Sequence, residues 1–150
     1  MSNILTGPGW NLSVRIDGPD LVVDSTQASW FGGSNDPQDN GETASGISTR
    51  NNPGILGCAL PMRYLGSDGP TRLAMAGSPI PMLPYRTTFV EVTHGTQMQR
   101  LELIDIGPAR KTGHGIDITI AAFESFGYQL SKGLIPVSYR ILNAATFLHQ

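Results

Sequence analysis

Two aspartates stand in tight frames late in the chain: Asp105-Ile106-Gly107-Pro108, then Gly115-Ile116-Asp117-Ile118-Thr119. Two carboxylates on the rims of neighbouring strands can serve one polar substrate between them, which is the minimum equipment for acid-assisted cleavage of a glycosidic bond. A general acid must hold its proton near neutral pH, and this needs burial or a like charge. Asp105 could supply that like charge to Asp117. Against this stands an architectural reading in which Asp117 caps the following helix or ties down the backbone around it. Asp36 and Asp39 are further candidate carboxylates, although they sit among turn formers where Asp and Asn tolerate tight bends. An inverting hydrolase separates its two carboxyls by roughly 6.5–9.5 Å to admit water. A lytic transglycosylase manages with one acid/base, because the sugar's own hydroxyl attacks.

Other residues surround this pair. His94 and His114 each stand beside glycine, and His114, three residues before Asp117, is a candidate groove residue. No metal-ligand spacing recurs, so neither a metal nor another cofactor is expected. Trp30, Phe31 and Tyr64 are candidates for stacking on sugar rings, while Trp30, inside a strand pattern, reads more readily as core. Ser29, Ser45 and Ser48 lack a nucleophile-elbow frame, and Cys58 has no evident His partner, which argues against acyl transfer. Gly32-Gly33 is followed by neither a helix nor a Lys and is not a phosphate loop.

Strands must carry these groups. Trp10 to Ile16 alternates, Asp17-Gly18-Pro19-Asp20 is a strong turn, and Leu21-Val22-Val23 resumes extended structure, which reads as a hairpin. Gln27 to Phe31 is a second candidate strand. From Gly32 to Pro53 the chain is Gly, Asn, Asp, Ser and Thr with almost no apolar anchor, the composition of a binding loop. Strands are expected again at Arg72–Ala76, Thr87–Thr93 and Met98–Asp105, with Pro79, Pro81 and Pro84 forbidding a helix between the first two. Thr119 is a suitable N-cap for a short helix through Phe126, Gly127 ends it, and Gly133 to Leu142 holds a last strand.

From Thr88 to Leu142 the chain resembles the double-psi β-barrels of rare lipoprotein A, expansins and barwin-like endoglucanases. The resemblance rests on Val90-Glu91-Val92-Thr93, Asp105-Ile106-Gly107-Pro108, Ile116-Asp117-Ile118-Thr119 with Ala122-Phe123, and Val137 to Leu142. Ala28-Ser29-Trp30-Phe31-Gly32 with Thr43-Ala44-Ser45-Gly46 is similar to the opening of rare lipoprotein A domains. The resemblance implies an all-β fold: a six-stranded double-psi β-barrel over 27–150 with one or two short helices, preceded by a hairpin extension over 1–26. It implies a glycan groove in which Asp117 matches the family's acid, Asp105 matches the Asp-x-Gly-Pro aspartate, and Thr43 and Ser45 line the substrate path. Expansins keep that aspartate without clear hydrolysis. The chain departs from rare lipoprotein A in lacking its Phe-His-Gly, where it carries residues 33–41 with Asp36 and Asp39.

Bulk properties fit. At 150 residues one domain is expected, and a net charge of −2 lacks the basic face that nucleic acid demands. Eighteen glycines and eleven prolines with sparse charge suit a turn-rich β protein. Cys58, the only cysteine, excludes an internal disulfide and is expected as a buried thiol. Neither a signal peptide nor a membrane span is legible. The expected function is a cell-wall glycan-directed protein, a peptidoglycan lytic transglycosylase or glycoside hydrolase. It would act at the bacterial envelope when delivered by phage or a secretion system, and stay in the cytoplasm otherwise. The alternatives are an expansin-like binding module without turnover and a structural phage virion or tail protein reusing the barrel. A polysaccharide is the expected partner, with copies of the chain or virion neighbours as further candidates.

Overall fold

The computed structural model describes residues 4–5, 13–32, 41–60, 83–106 and 114–145. Strand β1 (Ile4–Leu5) and β2 (Val14–Asp17) precede the long β3 (Asp20–Phe31), then come β4 (Gly57–Leu60), β5 (Phe89–His94) and β6 (Gln97–Ile106). Strand β7 (Ile116–Thr119) leads directly into helix α1 (Ile120–Ser125). A 3-10 turn at Leu130–Lys132 precedes β8 (Ile135–Ile141). The strands neighbour one another in the order β3, β7, β4, β6, β5, β8, and a β3/β8 pairing closes the ring; β1 and β2 extend it from β3. Two pairs, β3/β7 and β4/β6, are parallel, while β4/β7, β5/β6, β5/β8 and β3/β8 are antiparallel.

This order defines the fold. The connection from β3 to β4 skips the place taken by β7, and the connection from β6 to β7 skips the place taken by β4. Two interlocked crossings around the β4/β7 pair make a double-psi β-barrel, as the resemblance implied. Closure leaves the six barrel strands without free edges.

Alternation fills the interior. Cys58 and Leu60, Leu101 and Leu103, Ile116 and Ile118, and Ile135, Val137, Tyr139 and Ile141 all point into one buried cluster with Phe123 and Phe126. Burying each large apolar side chain contributes about 1.5–3 kcal/mol. The Cys58 thiol is fully buried, as expected, and burial pushes its pKa far up, so it is inert packing. Tyr139 crosses the core and its hydroxyl donates to the Gly115 carbonyl at 2.9 Å, fixing the entry to β7.

The turn at Asp17–Asp20 forms as expected, with Gly18 at φ +60°. Beyond it the expected strands at Leu21–Val23 and Gln27–Phe31 are one strand, β3, which pairs with β8 on both sides of a register shift between Val23 and Thr26. Leu21, Val22 and Val23 therefore belong to the barrel wall. The polar stretch Asp24-Ser25-Thr26, which breaks the sequence pattern, coincides with that irregularity. Strand β4 was not legible, because Gly57-Cys58-Ala59-Leu60 is buried at all four positions and shows no alternation. The expected strand at Arg72–Ala76 lies outside the described residues. Helix α1 begins and ends as the sequence predicts. Thr119 accepts the Ala122 N–H, and Gly127 follows with φ +99°.

Candidate active site

The two frames of the sequence meet at Ala59. In β4/β7 Ala59 faces Asp117, and in β4/β6 it faces Asp105. In β3/β7 Ser29 faces Asp117. Residues directly opposite one another share a face, so Ser29, Asp117, Ala59 and Asp105 form one row across four strands. The alternate residues, Cys58, Ile116 and Ile118, point into the core, so the row lies on the outer face. A bulge lets Asp105 join it: the register shifts between Cys58 and Ala59, which leaves Ile104 as the extra residue of β6. Ile104 folds over Gly57, where an added Cβ would stand 2.9 Å from its Cδ1 and push that methyl aside.

Each carboxylate is held. Ser29 Oγ donates to Asp117 Oδ1. Ala44 N–H donates to Asp105 Oδ1 at 3.0 Å, and Ser45 N–H donates to the Ile104 carbonyl at 3.0 Å. The described part of the long polar loop thus borders the row on its β6 side. Thr43 and Ser45 shape that loop rather than project from it. Thr43 Oγ1 donates to the Ile47 carbonyl at 2.8 Å, Ser45 Oγ lies 2.8 Å from Thr43 Oγ1, and Ile47 N–H donates to Ser45 Oγ at 3.3 Å. Within the loop, Gly32 and Gly41, both with positive φ, lie close against Thr49 and Arg50 respectively.

Asp117 is half-buried, and its carboxyl titrates above the usual range. Burial is the main cause and the charge of Asp105 adds to it, while the Ser29 hydrogen bond and His114 act in the opposite direction. His114, just ahead of β7, is therefore near enough to be felt by the Asp117 carboxyl. Thr119 is a structural junction beside it. Its hydroxyl donates to the Ile55 carbonyl at 2.6 Å and accepts the N–H of Gly57 at 3.2 Å and of Ala122 at 3.4 Å. The helix cap anticipated as an alternative duty of Asp117 falls to Thr119.

The remaining candidates divide. Phe31 is half-buried and two residues along β3 from Ser29, on the same face as the row. Trp30 is on the other face, packed against the core with its indole N–H donating to the Leu130 carbonyl at 2.9 Å, so it does not join the row. Asp36, Asp39 and Tyr64 lie outside the described residues. His94 is elsewhere: its Nδ1 pairs with the Pro136 carbonyl and its Nε2 with the Tyr128 hydroxyl, each at 2.7 Å. Among the described residues no three His, Cys, Asp or Glu side chains converge. Ser29 is the site residue that sequence reasoning missed. It was weighed only as a nucleophile, and its signal, alternation with the core-facing Ala28, became readable once β3 was paired with β7.

No family model matches the chain, and no curated protein matches it. Among solved structures it is similar to a Streptomyces papain inhibitor, with TM-score 0.50 and 18% identity over 79% of this chain and 92% of that one. It is also similar to a Clavibacter michiganensis expansin in its apo form, with TM-score 0.49 and 18% identity over 79% of this chain and 50% of the expansin. A point mutant of that expansin in complex with cellohexaose gives TM-score 0.47 at 18% identity, with the same coverage. The chain spans half the length of these expansins. At such identity the likeness to the inhibitor bears on the fold alone, and it agrees with the barrel described above.

Proposed function

We propose that this double-psi β-barrel is a cell-wall glycan-directed enzyme, a peptidoglycan lytic transglycosylase or glycoside hydrolase, with Asp117 as its general acid. The observation that carries this reading is the outer row, in which a carboxyl raised by burial shares one face with a second carboxylate and a hydroxyl donor. A raised carboxyl keeps a proton to give to a glycosidic oxygen. The electron pair of the breaking bond then stays on that oxygen. Asp105 and Asp117 are two strands apart, which at ~4.8 Å per strand separates their α-carbons by roughly 10 Å. A second carboxylate on that face is what an inverting hydrolase uses to activate its water. Phe31, on the same face, offers an apolar ring to a sugar. Peptidoglycan is the substrate class suggested by the resemblance to rare lipoprotein A, reached through phage lysis or a secretion route.

A second reading, an expansin-like module that binds without turnover, is favoured by one observation. Asp105 Oδ1 is already engaged by Ala44 N–H, as befits a structural carboxylate. Mass spectrometry of purified peptidoglycan after incubation separates the readings. New reducing ends support the hydrolase, and anhydro-muramyl ends the transglycosylase. Binding with no product over a long incubation removes the enzymatic proposal.

A further inference from the structure

The geometry points to Ser29 as a positioning residue that fixes which oxygen of Asp117 carries the transferable proton. This rests on Asp117 acting as the acid, as proposed above. Ser29 stands opposite Asp117 in the parallel β3/β7 register, and its hydroxyl donates to Oδ1. With Oδ1 accepting that bond, the carboxyl proton resides on Oδ2, the oxygen left to face a substrate. Ser29 itself is held by a barrel strand whose neighbours Ala28 and Trp30 pack inward, so its hydroxyl is presented by a rigid wall.

The proton passes from Asp117 Oδ2 to the bridging oxygen, the carbon–oxygen bond breaks with its electron pair on that oxygen, and Asp117 is left ionised. The oxygen of a water or of the sugar's own hydroxyl bonds to the anomeric carbon in its place and gives its proton to Asp105 or to the ionised Asp117. A hydroxyl donates more strongly to a carboxylate than to a carboxylic acid. The Ser29 bond therefore tightens as the proton leaves, and it stabilises the transition state more than the ground state. Among the described residues, the charged groups facing this carboxyl are Asp105 from β6 and His114 from the segment before β7, while β4 places Ala59 opposite it. Ser29 is thus the donor from β3 that offsets the cost of burying the charge.

Ser29→Ala and Ser29→Thr test this with a readout that needs no glycan. In protein labelled at the aspartate carboxyl carbons, NMR titration of Ser29→Ala should move the Asp117 midpoint upward by about 1 pH unit. Ser29→Thr, which keeps the hydroxyl, should restore it. On a glycan that wild type cleaves, the basic limb of the pH–rate profile should move the same way in Ser29→Ala and return in Ser29→Thr. A merely structural serine would change melting temperature without moving the midpoint. An unchanged midpoint in Ser29→Ala, or an equal shift in Ser29→Thr, overturns the inference. A wild type that cleaves nothing removes the catalytic reading instead, while the titration still decides whether Ser29 holds the carboxyl.

Discussion

Aspartates occupy two contrasting settings in this barrel. Around the β2–β3 turn, Arg15 grips Asp24 at 2.7 and 3.0 Å, and Arg140 of β8 reaches Asp17 at 2.7 Å and Asp20 at 2.8 Å. Asp17 and Asp24 are exposed, while Asp20 is half-buried. Hydrogen bonding to Arg140 holds Asp17 below the usual carboxylate range, and hydrogen bonding to Arg15 does the same for Asp24. On the outer row the partner of Asp117 is an uncharged hydroxyl, and burial drives its carboxyl the other way. One residue type thus gives permanent anions that tie the hairpin turn to β8, and a carboxyl able to carry a proton. Partner charge and solvent access decide between them.

The sharpest way to break this contrast is Asp117→Asn, which keeps the shape and can still accept from Ser29 but cannot act as an acid. Glycan cleavage should fall by at least about a hundredfold, while folding stability moves by no more than about 1 kcal/mol. Loss of activity only in proportion to unfolded protein would return Asp117 to an architectural role. Thr119→Val serves as the structural counterpart beside it. Leaving the Ile55 carbonyl and two N–H groups without their hydroxyl should cost about 1–3 kcal/mol in a denaturation experiment, with the pH dependence of the remaining activity unchanged. A shifted profile would show that Thr119 also acts on the acid.

The two settings should also differ in sign when stability is followed against pH. A carboxyl raised in the folded state makes ionisation costly. Wild type should therefore lose stability relative to Asp117→Asn as pH rises from the ordinary 3.8 through the raised folded value, with the gap between them constant below 3.8. Asp24 is lowered in the folded state, so its contribution is present above 3.8 and disappears as pH falls through its lower folded value. The gap between wild type and Asp24→Asn should accordingly close on acidification. Melting curves from pH 3 to 7 read both, and parallel trends would refute the distinction. The smallest effect is expected for Arg140→Met. It should lower the melting temperature slightly at low salt and by less near 1 M salt, because ion pairs that reach solvent are weak and partly screened.

Much of the architecture was legible locally. Asp17-Gly18-Pro19-Asp20 bends as its residues require, and Thr119 and Gly127 bound the helix they were expected to bound. Trp30 followed the strand alternation that marked it as core. The misreadings have a common cause. Asp24-Ser25-Thr26 looked like a break, yet β8 supplies pairing on both sides of it. Gly57-Cys58-Ala59-Leu60 carried no period because both of its faces are buried.

The sequence by itself determined the elements whose signals lie within a few residues: turns, caps, alternating strands and the two aspartate frames. Only the tertiary structure decided what faces those frames. Ser29 and Asp117 are 88 positions apart, and Ala44 and Asp105 are 61 apart. Their meeting depends on parallel registers set by two interlocked crossings, and on a bulge at Ile104 that turns Asp105 to the outer face. Register slips by one residue would send every one of these side chains to the opposite face. The closed packing of the whole barrel, rather than any local pattern, therefore places Asp117, Ser29 and Asp105 in one row.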